Sequence, residues 1–204
     1  MRYCLRCCYP ENCRPSIIFD ESGVCSGCRT FEQRRSETVN WKEKQQELAT
    51  LLESYKEKAR KNNAPYDCII PISGGKDSHY QAHLITQVYK MKPLFVAYNH
   101  AYNTTVGIRN LTNMVDKFGF DLIRYTTNPK TAKKISRYML KKVGDITWHY
   151  HAGIMTFPIQ TAVRYRIPLM IWGEHGEALL HGMHNLEDKV EFTKKHRQEH
   201  LMRG

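Results

Sequence analysis

The stretch Asp67-Cys-Ile-Ile-Pro-Ile-Ser-Gly-Gly-Lys-Asp-Ser78 constrains this chain more than any other. An apolar run stops at Ser73-Gly74-Gly75, and residues 77–90 then carry apolar side chains at roughly helical spacing. The pattern predicts a short buried strand over 67–72, a glycine turn, and a helix over 77–90. Glycine at such a turn permits positive φ and lets a ligand approach with no Cβ in the way, while the first N–H groups of a helix have no internal partner. Those donors, with the helix dipole, favour an anion. Ser73 and Ser78 add hydroxyl donors, and Asp77 and Ser78 stand where capping residues belong. A carboxylate beside a polyphosphate is repulsive unless a cation intervenes, so Asp77 points to Mg²⁺ as well as to a cap. The spacing is not that of a Walker A loop, which sets four residues between its glycine and Gly-Lys-Ser/Thr.

Four apolar runs, Cys68–Ile72, Leu94–Tyr98, Phe120–Tyr125 and Pro168–Trp172, alternate with helical patterns. Alternation of this kind predicts a parallel, doubly wound α/β sheet with helices on both faces. Two helical stripes, Val106, Leu111, Met114, Val115, Phe118 and Ile135, Tyr138, Met139, Val143, read as core-facing. In open α/β sheets ligands collect beyond the carboxyl ends of the strands. Each run here ends in polar or glycine-rich sequence: Ser73-Gly-Gly, Asn99-His-Ala-Tyr-Asn103, Thr126-Thr-Asn128 and Gly173-Glu-His-Gly176. One cleft is expected to gather all four loops.

Residues 1–29 hold too little apolar sequence to bury a core, so something else must hold them together. Cys4-x2-Cys7 and Cys25-x2-Cys28 are two chelating pairs at a spacing close to that of structural zinc ribbons and knuckles. Four thiolates close a tetrahedral Zn²⁺ site and leave no open position for catalysis. Cys8 and Cys13 have the wrong spacing and read as spare thiols that can replace a ligand, and Cys68 as a small core residue. Between Thr30 and Asn62, Trp41, Leu48, Leu51, Leu52, Tyr55 and Ala59 recur at three- and four-residue intervals, which predicts an amphipathic linker helix ended by Asn62-Asn-Ala-Pro65. The expected organisation is therefore a Cys4 knuckle (1–29), a linker helix (30–63), a nucleotide-binding α/β domain (64–184) and a charged tail (185–204).

Seven cysteines without an apolar leader read as thiols or metal ligands in a reducing compartment, and no run approaches the length of a membrane span; a cytoplasmic protein is expected. The net charge of +11 suits polyanions in general. The basic residues are spread over Lys42–Lys61, Lys130–Lys142 and Lys189–Arg203, which reads mostly as solvated surface, so nucleic acid is not the expected partner.

Ser73-Gly-Gly-Lys-Asp-Ser78 resembles the signature of the PP-loop ATP pyrophosphatases, whose fold is of the adenine-nucleotide alpha-hydrolase type and which cleave ATP between the α and β phosphates. The likeness narrows further. Tyr3-Cys-Leu-Arg-Cys7, Ile17–Cys28, Asn103 and Asn110, His151-Ala-Gly-Ile154, Trp172-Gly-Glu-His175, Gly182–Asp188 and Lys195–His200 together look like the N-acetyl sugar amidotransferases of surface-polysaccharide (lipopolysaccharide O-antigen) biosynthesis. Members of that family continue past Glu199–Gly204, so this chain is expected to be shorter than most.

The resemblance implies conversion of an acetamido group on a bacterial nucleotide sugar to an acetamidino group. ATP adenylates the amide oxygen, a poor leaving group, and ammonia displaces AMP. By position, Ser73, Gly74, Gly75, Lys76 and Ser78 would hold the pyrophosphate and Asp77 would cap the helix or reach Mg²⁺. Asn99, Gly153 and Gly173 would lie near the nucleotide. Glu174 would act at the reacting centre, and His149, His151 and His175 would stabilise the adenylated intermediate. Residue 2 is Arg and there is no Cys-elbow glutaminase motif, so ammonia is expected from partners of the imidazole-glycerol-phosphate-synthase type, a glutaminase and an ammonia channel. Two other readings stay open: a PP-loop tRNA thiolase, and a zinc-ribbon nucleic-acid-binding module with a degenerate nucleotide domain.

Overall fold

The computed structural model describes residues 1–12, 17–36 and 38–173. Cys13, Glu174, His175 and the tail from residue 185 lie outside the described residues, as do the expectations attached to them. The described chain falls into two compact units, Met1–Trp41 and Lys42–Gly173.

In the first unit, antiparallel bridges Tyr3–Pro10 and Phe19–Cys25 close two tight turns. Cys8 N–H donates to the Cys4 carbonyl at 2.9 Å and Gly23 N–H to the Asp20 carbonyl at 3.0 Å. Helix α1 (Ser26–Ser36) starts inside the second cysteine pair. Helix α2 (Trp41–Lys61) follows, so the stretch expected as one linker helix is two. Thr38, Val39 and Asn40, each a poor helix former, precede the second start. The apolar face of α2 is also narrower than its periodicity: Leu52 and Ala59 are buried, whereas Trp41, Leu48 and Leu51 are exposed.

The second unit is built on a parallel sheet. Strand β1 (Cys68–Pro71) pairs with β2 (Pro93–Asn99) in the register Ile69–Leu94 and Ile70–Phe95. β2 pairs with β3 (Leu122–Thr126) in the register Val96–Ile123. The fourth apolar run does not form a strand of its own. It meets β1 through a single parallel bridge, Ile69–Met170, with Ile69 N–H donating to the Leu169 carbonyl at 2.8 Å and Ile171 N–H to the Ile69 carbonyl at 2.9 Å. The order across the sheet is thus β3, β2, β1 and the Met170 segment, with β1 inside.

Helix α3 (Lys76–His83), which widens into a π turn over Leu84–Val88, follows β1, and α4 (Thr105–Phe118) follows β2. After β3 come α5 (Pro129–Val143) and α6 (Trp148–Arg164). Side chains alternate across the sheet. Cys68, Ile70, Phe95 and Ala97 join Leu52, Ala82, Ile85, Leu111 and Met114 in one core. Ile69, Leu94 and Val96 join Ile167, Phe157 and Ala162 in the other. Both faces of β1 are therefore covered, which explains its unbroken apolar run.

Local chemistry sets the helix ends. Thr104 caps α4, its hydroxyl accepting from Gly107 N–H at 3.0 Å, and Asn128 caps α5 through Lys130 N–H at 2.9 Å, followed by Pro129. Of the two stripes read as core-facing, Leu111, Met114 and Met139 are buried, but Val106 and Tyr138 are exposed. The periodicity gives no sign of α6. Its sequence carries Gly153 and a buried internal Pro158, and its apolar residues do not gather on one side.

A Cβ on Gly153 would fall inside the Tyr98 ring. Gly153→Ala is expected to destabilise the domain by roughly 1–3 kcal/mol through overpacking, read as a lower urea midpoint with an unchanged slope.

Candidate functional site

The polar loop emerges where β1 ends. Ile72 N–H still donates to the Val96 carbonyl at 2.9 Å, so the chain stays in the sheet up to Ser73. The next residue, Gly74, has φ +80°, and a Cβ there would meet Leu111 N at 3.1 Å and the Gly107 carbonyl at 3.2 Å. Only glycine fits both the conformation and the close approach to α4. At Gly75 a built Cβ meets only Ser73 Oγ, at 3.3 Å, among the described residues, so on that side they leave the loop room for a ligand.

Asp77 and Ser78 do not cap the helix, as their position in the sequence led one to expect. The cap is Gly75, in extended conformation and with no side-chain cap bond, so Asp77 and Ser78 are the second and third helical residues. Ser78 is buried and turns back into the loop: its Oγ accepts from Ser73 N–H at 3.0 Å and shares a hydrogen bond with Ser73 Oγ at 3.1 Å. Ser73 Oγ in turn accepts from Gly75 N–H at 3.3 Å. The two serines brace the turn. The first N–H groups of α3 have no acceptor within the helix, and no side chain caps them. Asp77 is exposed and its Oδ1 lies 2.7 Å from Lys76 Nζ, so a divalent cation would compete with that lysine for it.

β1 has β2 on one side and the Met170 segment on the other, so the loop sits at the point where the chain's progress across the sheet reverses. In open α/β sheets that is where a crevice forms. Asn99 ends β2. Its side chain donates to Thr126 Oγ1 at 3.1 Å and accepts from Ala101 N–H at 3.0 Å and from the Asn103 amide. Its observed role is thus to tie the ends of β2 and β3 together. Gly153 packs against Tyr98, and Gly173 comes against Gln81, whose Oε1 would be 3.2 Å from a Cβ there. His151 is exposed, with Nδ1 3.3 Å from Thr147 Oγ1. His149 is buried, and burial holds its imidazole below the usual histidine range and so neutral.

Gln81 gave no motif-level signal. It sits one turn beyond Ser78 on the buried side of α3 and donates to the Ile171 carbonyl at 3.0 Å, fastening the fourth segment to the helix that opens at the loop. The i, i+3 spacing from Ser78 is the clue the sequence did carry.

In the other unit the paired cysteines converge. Cys4 Sγ is 4.0 Å from Cys28 Sγ, Cys7 Sγ is 3.6 Å from Cys25 Sγ, and the four sulfurs lie within 4.8 Å of one another. A tetrahedral ion with metal–sulfur bonds of about 2.3 Å separates its sulfurs by about 3.8 Å, so the set fits one metal ion. Burial alone would raise the Cys4 thiol, but the N–H groups of Cys7, Arg6 and Cys25 directed at its sulfur bring it down to about 6. The Cys25 N–H to Cys4 Sγ distance is 3.3 Å and that of Arg6 is 3.4 Å. Burial and neighbouring sulfurs push Cys25 and Cys28 up, the mutual repulsion that a bound cation relieves. Cys8 is exposed and stands outside the set. Cys68 is buried in β1, where desolvation pushes its thiol up to about 12.

No protein-family model matches the chain. It is 26% identical over 156 residues to the uncharacterized protein MJ1599 of Methanocaldococcus jannaschii, an overlap of 71% of this chain and 54% of that protein. The chain thus spans about half the length of the curated relative it matches. Among solved structures it is similar to the NMN synthetase of Francisella tularensis (TM-score 0.44, 16% identity, 61% of this chain and 52% of that one). It is also similar to the NH3-dependent NAD synthetase of Campylobacter jejuni in complex with nitrate (TM-score 0.49, 12% identity, 73% and 63%). A third is the U34-tRNA thiolase NcsA of Methanococcus maripaludis with its 4Fe-4S cluster (TM-score 0.29, 13% identity, 94% and 75%). The fold described here rests on its own strand register, and these likenesses add no residue role to it.

Among the described residues no helix is long and apolar enough to cross a membrane.

The purified chain is expected to carry one metal ion, read by elemental analysis, and Cys28→Ser to lose it. Cys68 is expected to stay unmodified by iodoacetamide in the native protein and to react only after denaturation.

Proposed function

We propose that this chain is an AMP-forming, ATP-dependent enzyme of the PP-loop type, an N-acetyl sugar amidotransferase. It would convert an acetamido group of a nucleotide sugar to an acetamidino group with ammonia delivered by a partner glutaminase and channel protein. The observation that carries the reading is the loop Ser73–Ser78: a strand end, a glycine held at positive φ against α4, space beside Gly75 where a Cβ would meet only Ser73 Oγ among the described residues, and a helix start with no side-chain cap. That arrangement fits a run of phosphate oxygens.

ATP held there supplies an activated phosphorus for attack by the amide oxygen. The residues of this chain do the rest. The N–H groups of Gly74, Gly75 and Lys76 and the hydroxyls of Ser73 and Ser78 bind and orient the phosphates. The Lys76 ammonium balances part of their charge, and Asp77 would hold a Mg²⁺ ion that supplies the rest. Asn99, Gly153 and Gly173 border the nucleotide, His151 holds a proton near the adenylated oxygen, and Glu174, outside the described residues, serves the reacting centre. The four-cysteine site is assigned a structural Zn²⁺, because all four positions are thiolates and none is left for a substrate.

A thiolase of the persulfide kind asks for a reactive thiol near the loop. Cys68, the cysteine closest in sequence, is buried with its thiol pushed up to about 12, which disfavours that reading.

The decisive assay is AMP release from ATP with Mg²⁺ and ammonium chloride, run against a panel of di-N-acetylated nucleotide sugars and against unmodified tRNA. Sugar-dependent AMP with an amidine product is expected; AMP only with tRNA would move the protein to the RNA-modifying enzymes. Ser78→Ala is expected to lower AMP formation at least tenfold, about 1.4 kcal/mol, while leaving the thermal melt within a few degrees. Unchanged turnover in that variant would remove the cradle from the mechanism. The chain alone is expected not to release glutamate from glutamine.

A further inference from the structure

Five rings meet at the carboxyl end of β2. Tyr150, in the first turn of α6, has ring centroids of His100 at 5.7 Å, Tyr102 at 5.9 Å, His149 at 5.4 Å and His151 at 4.8 Å around it. His100 stacks on Tyr102 at 6.3 Å with 15° between the planes. The loop that carries the first two rings is held in place by the Asn99 hydrogen bonds described above and by Tyr102 N–H donating to His100 Nδ1 at 3.1 Å. That last bond leaves the His100 proton on Nε2, facing away from its own backbone. The same loop runs directly into α4, whose Gly107 and Leu111 lie against Gly74 of the phosphate loop.

The chemistry of the cluster is specific. Two phenols and three imidazoles offer flat faces and hydrogen-bonding edges and no fixed charge. An anionic group would call for a lysine or arginine among them, and a purely apolar ligand would leave the imidazoles without partners. Tyr102 is 63% exposed although its loop is firmly tied, so its face is presented to solvent. His149 is 8% exposed and its Nδ1 has no partner among the described residues. A buried ring nitrogen without a partner is costly unless something supplies one.

We propose that this cluster is the subsite for the acceptor of AMP: an uncharged, hydroxyl- and amide-bearing saturated ring of the pyranose kind, its C–H face against Tyr102 and Tyr150 and its polar edge toward His100. The assignment rests on the amidotransferase reading above and adds to it the place where the second substrate lies. ATP and acceptor then occupy adjoining parts of one crevice, the phosphates on the loop after β1 and the acceptor on the rings after β2.

The test is saturation-transfer NMR and calorimetry with UDP-N-acetylglucosamine, with UDP as the nucleotide control and ATP·Mg²⁺ measured separately, on the wild type, Tyr102→Ala and Tyr102→Phe. Saturation of the acetyl methyl and ring protons is expected in the wild type. Tyr102→Ala is expected to weaken UDP-N-acetylglucosamine binding roughly tenfold, with Tyr102→Phe close to wild type and ATP affinity the same in all three. An unaltered sugar affinity in Tyr102→Ala, or a loss shared equally by UDP or ATP, would overturn the assignment, the latter by making the rings a nucleobase platform. No sugar saturation in a wild type that binds ATP would overturn it too. Failure of the wild type to bind ATP would instead overturn the cradle on which the subsite depends. Tyr102 is largely exposed, so its variants are expected to keep the wild-type melting temperature.

Discussion

The structure of the larger unit depends on β1 being paired on both edges and covered on both faces. Ile69 bonds the Met170 segment through its N–H and carbonyl, while β2 lies in register on the other side. Ile69 and Ile70 are fully buried, one toward each core. Burying two such side chains contributes roughly 1.5–3 kcal/mol each, and the N–H and carbonyl of Ile69 are both paired across the sheet. A strand in that position can leave the sheet only at its end, so the turn after Ile72 must carry the chain's polar functions outward.

That constraint explains why the loop is so specific. Gly74 must turn through a left-handed conformation while touching α4, and the two serines must hold the turn because neither Asp77 nor a conventional capping side chain does so. The loop is braced by hydrogen bonds between its serines, and beside Gly75 a Cβ would meet only Ser73 Oγ among the described residues. Its neighbours are fixed by two further ties: Asn99 joins the ends of β2 and β3, and Gln81 joins α3 to the fourth segment. The surroundings of the loop are thus set by bonds made between strands and helices rather than by the loop alone. The small N-terminal unit solves a different problem. It has few apolar residues to bury, and four sulfurs brought within bonding reach of one ion take the place of a core.

Much of the fold was legible in the residues. The three strands, the parallel α/β class, the helix after the glycine turn and the convergence of Cys4, Cys7, Cys25 and Cys28 follow from period, length and spacing. Boundaries were harder. The fourth run has strand-like composition but makes one bridge, because pairing is settled by what lies alongside and not by the run itself. Helix α6 escaped because its glycine, proline and scattered apolar residues break the periodic signal, although packing against Tyr98 requires that very glycine. The expected linker helix is two helices, and Trp41, Leu48, Leu51, Val106 and Tyr138 show that a repeating apolar residue is not always a buried one.

By itself the sequence determined which atoms are available: a glycine turn between strand and helix, hydroxyls on both sides of it, and four thiols in two chelating pairs. These are local matters, since dihedral freedom, capping distance and ligand spacing are set within a few residues. Only the tertiary structure decided that Ser78 braces the turn instead of capping the helix, that Gln81 ties α3 to the fourth segment, and that His100 and Tyr102 meet Tyr150 across some fifty residues of chain. Those relations depend on which strand lies beside which, and strand order is fixed by the burial of whole faces, a property that no short stretch of sequence carries.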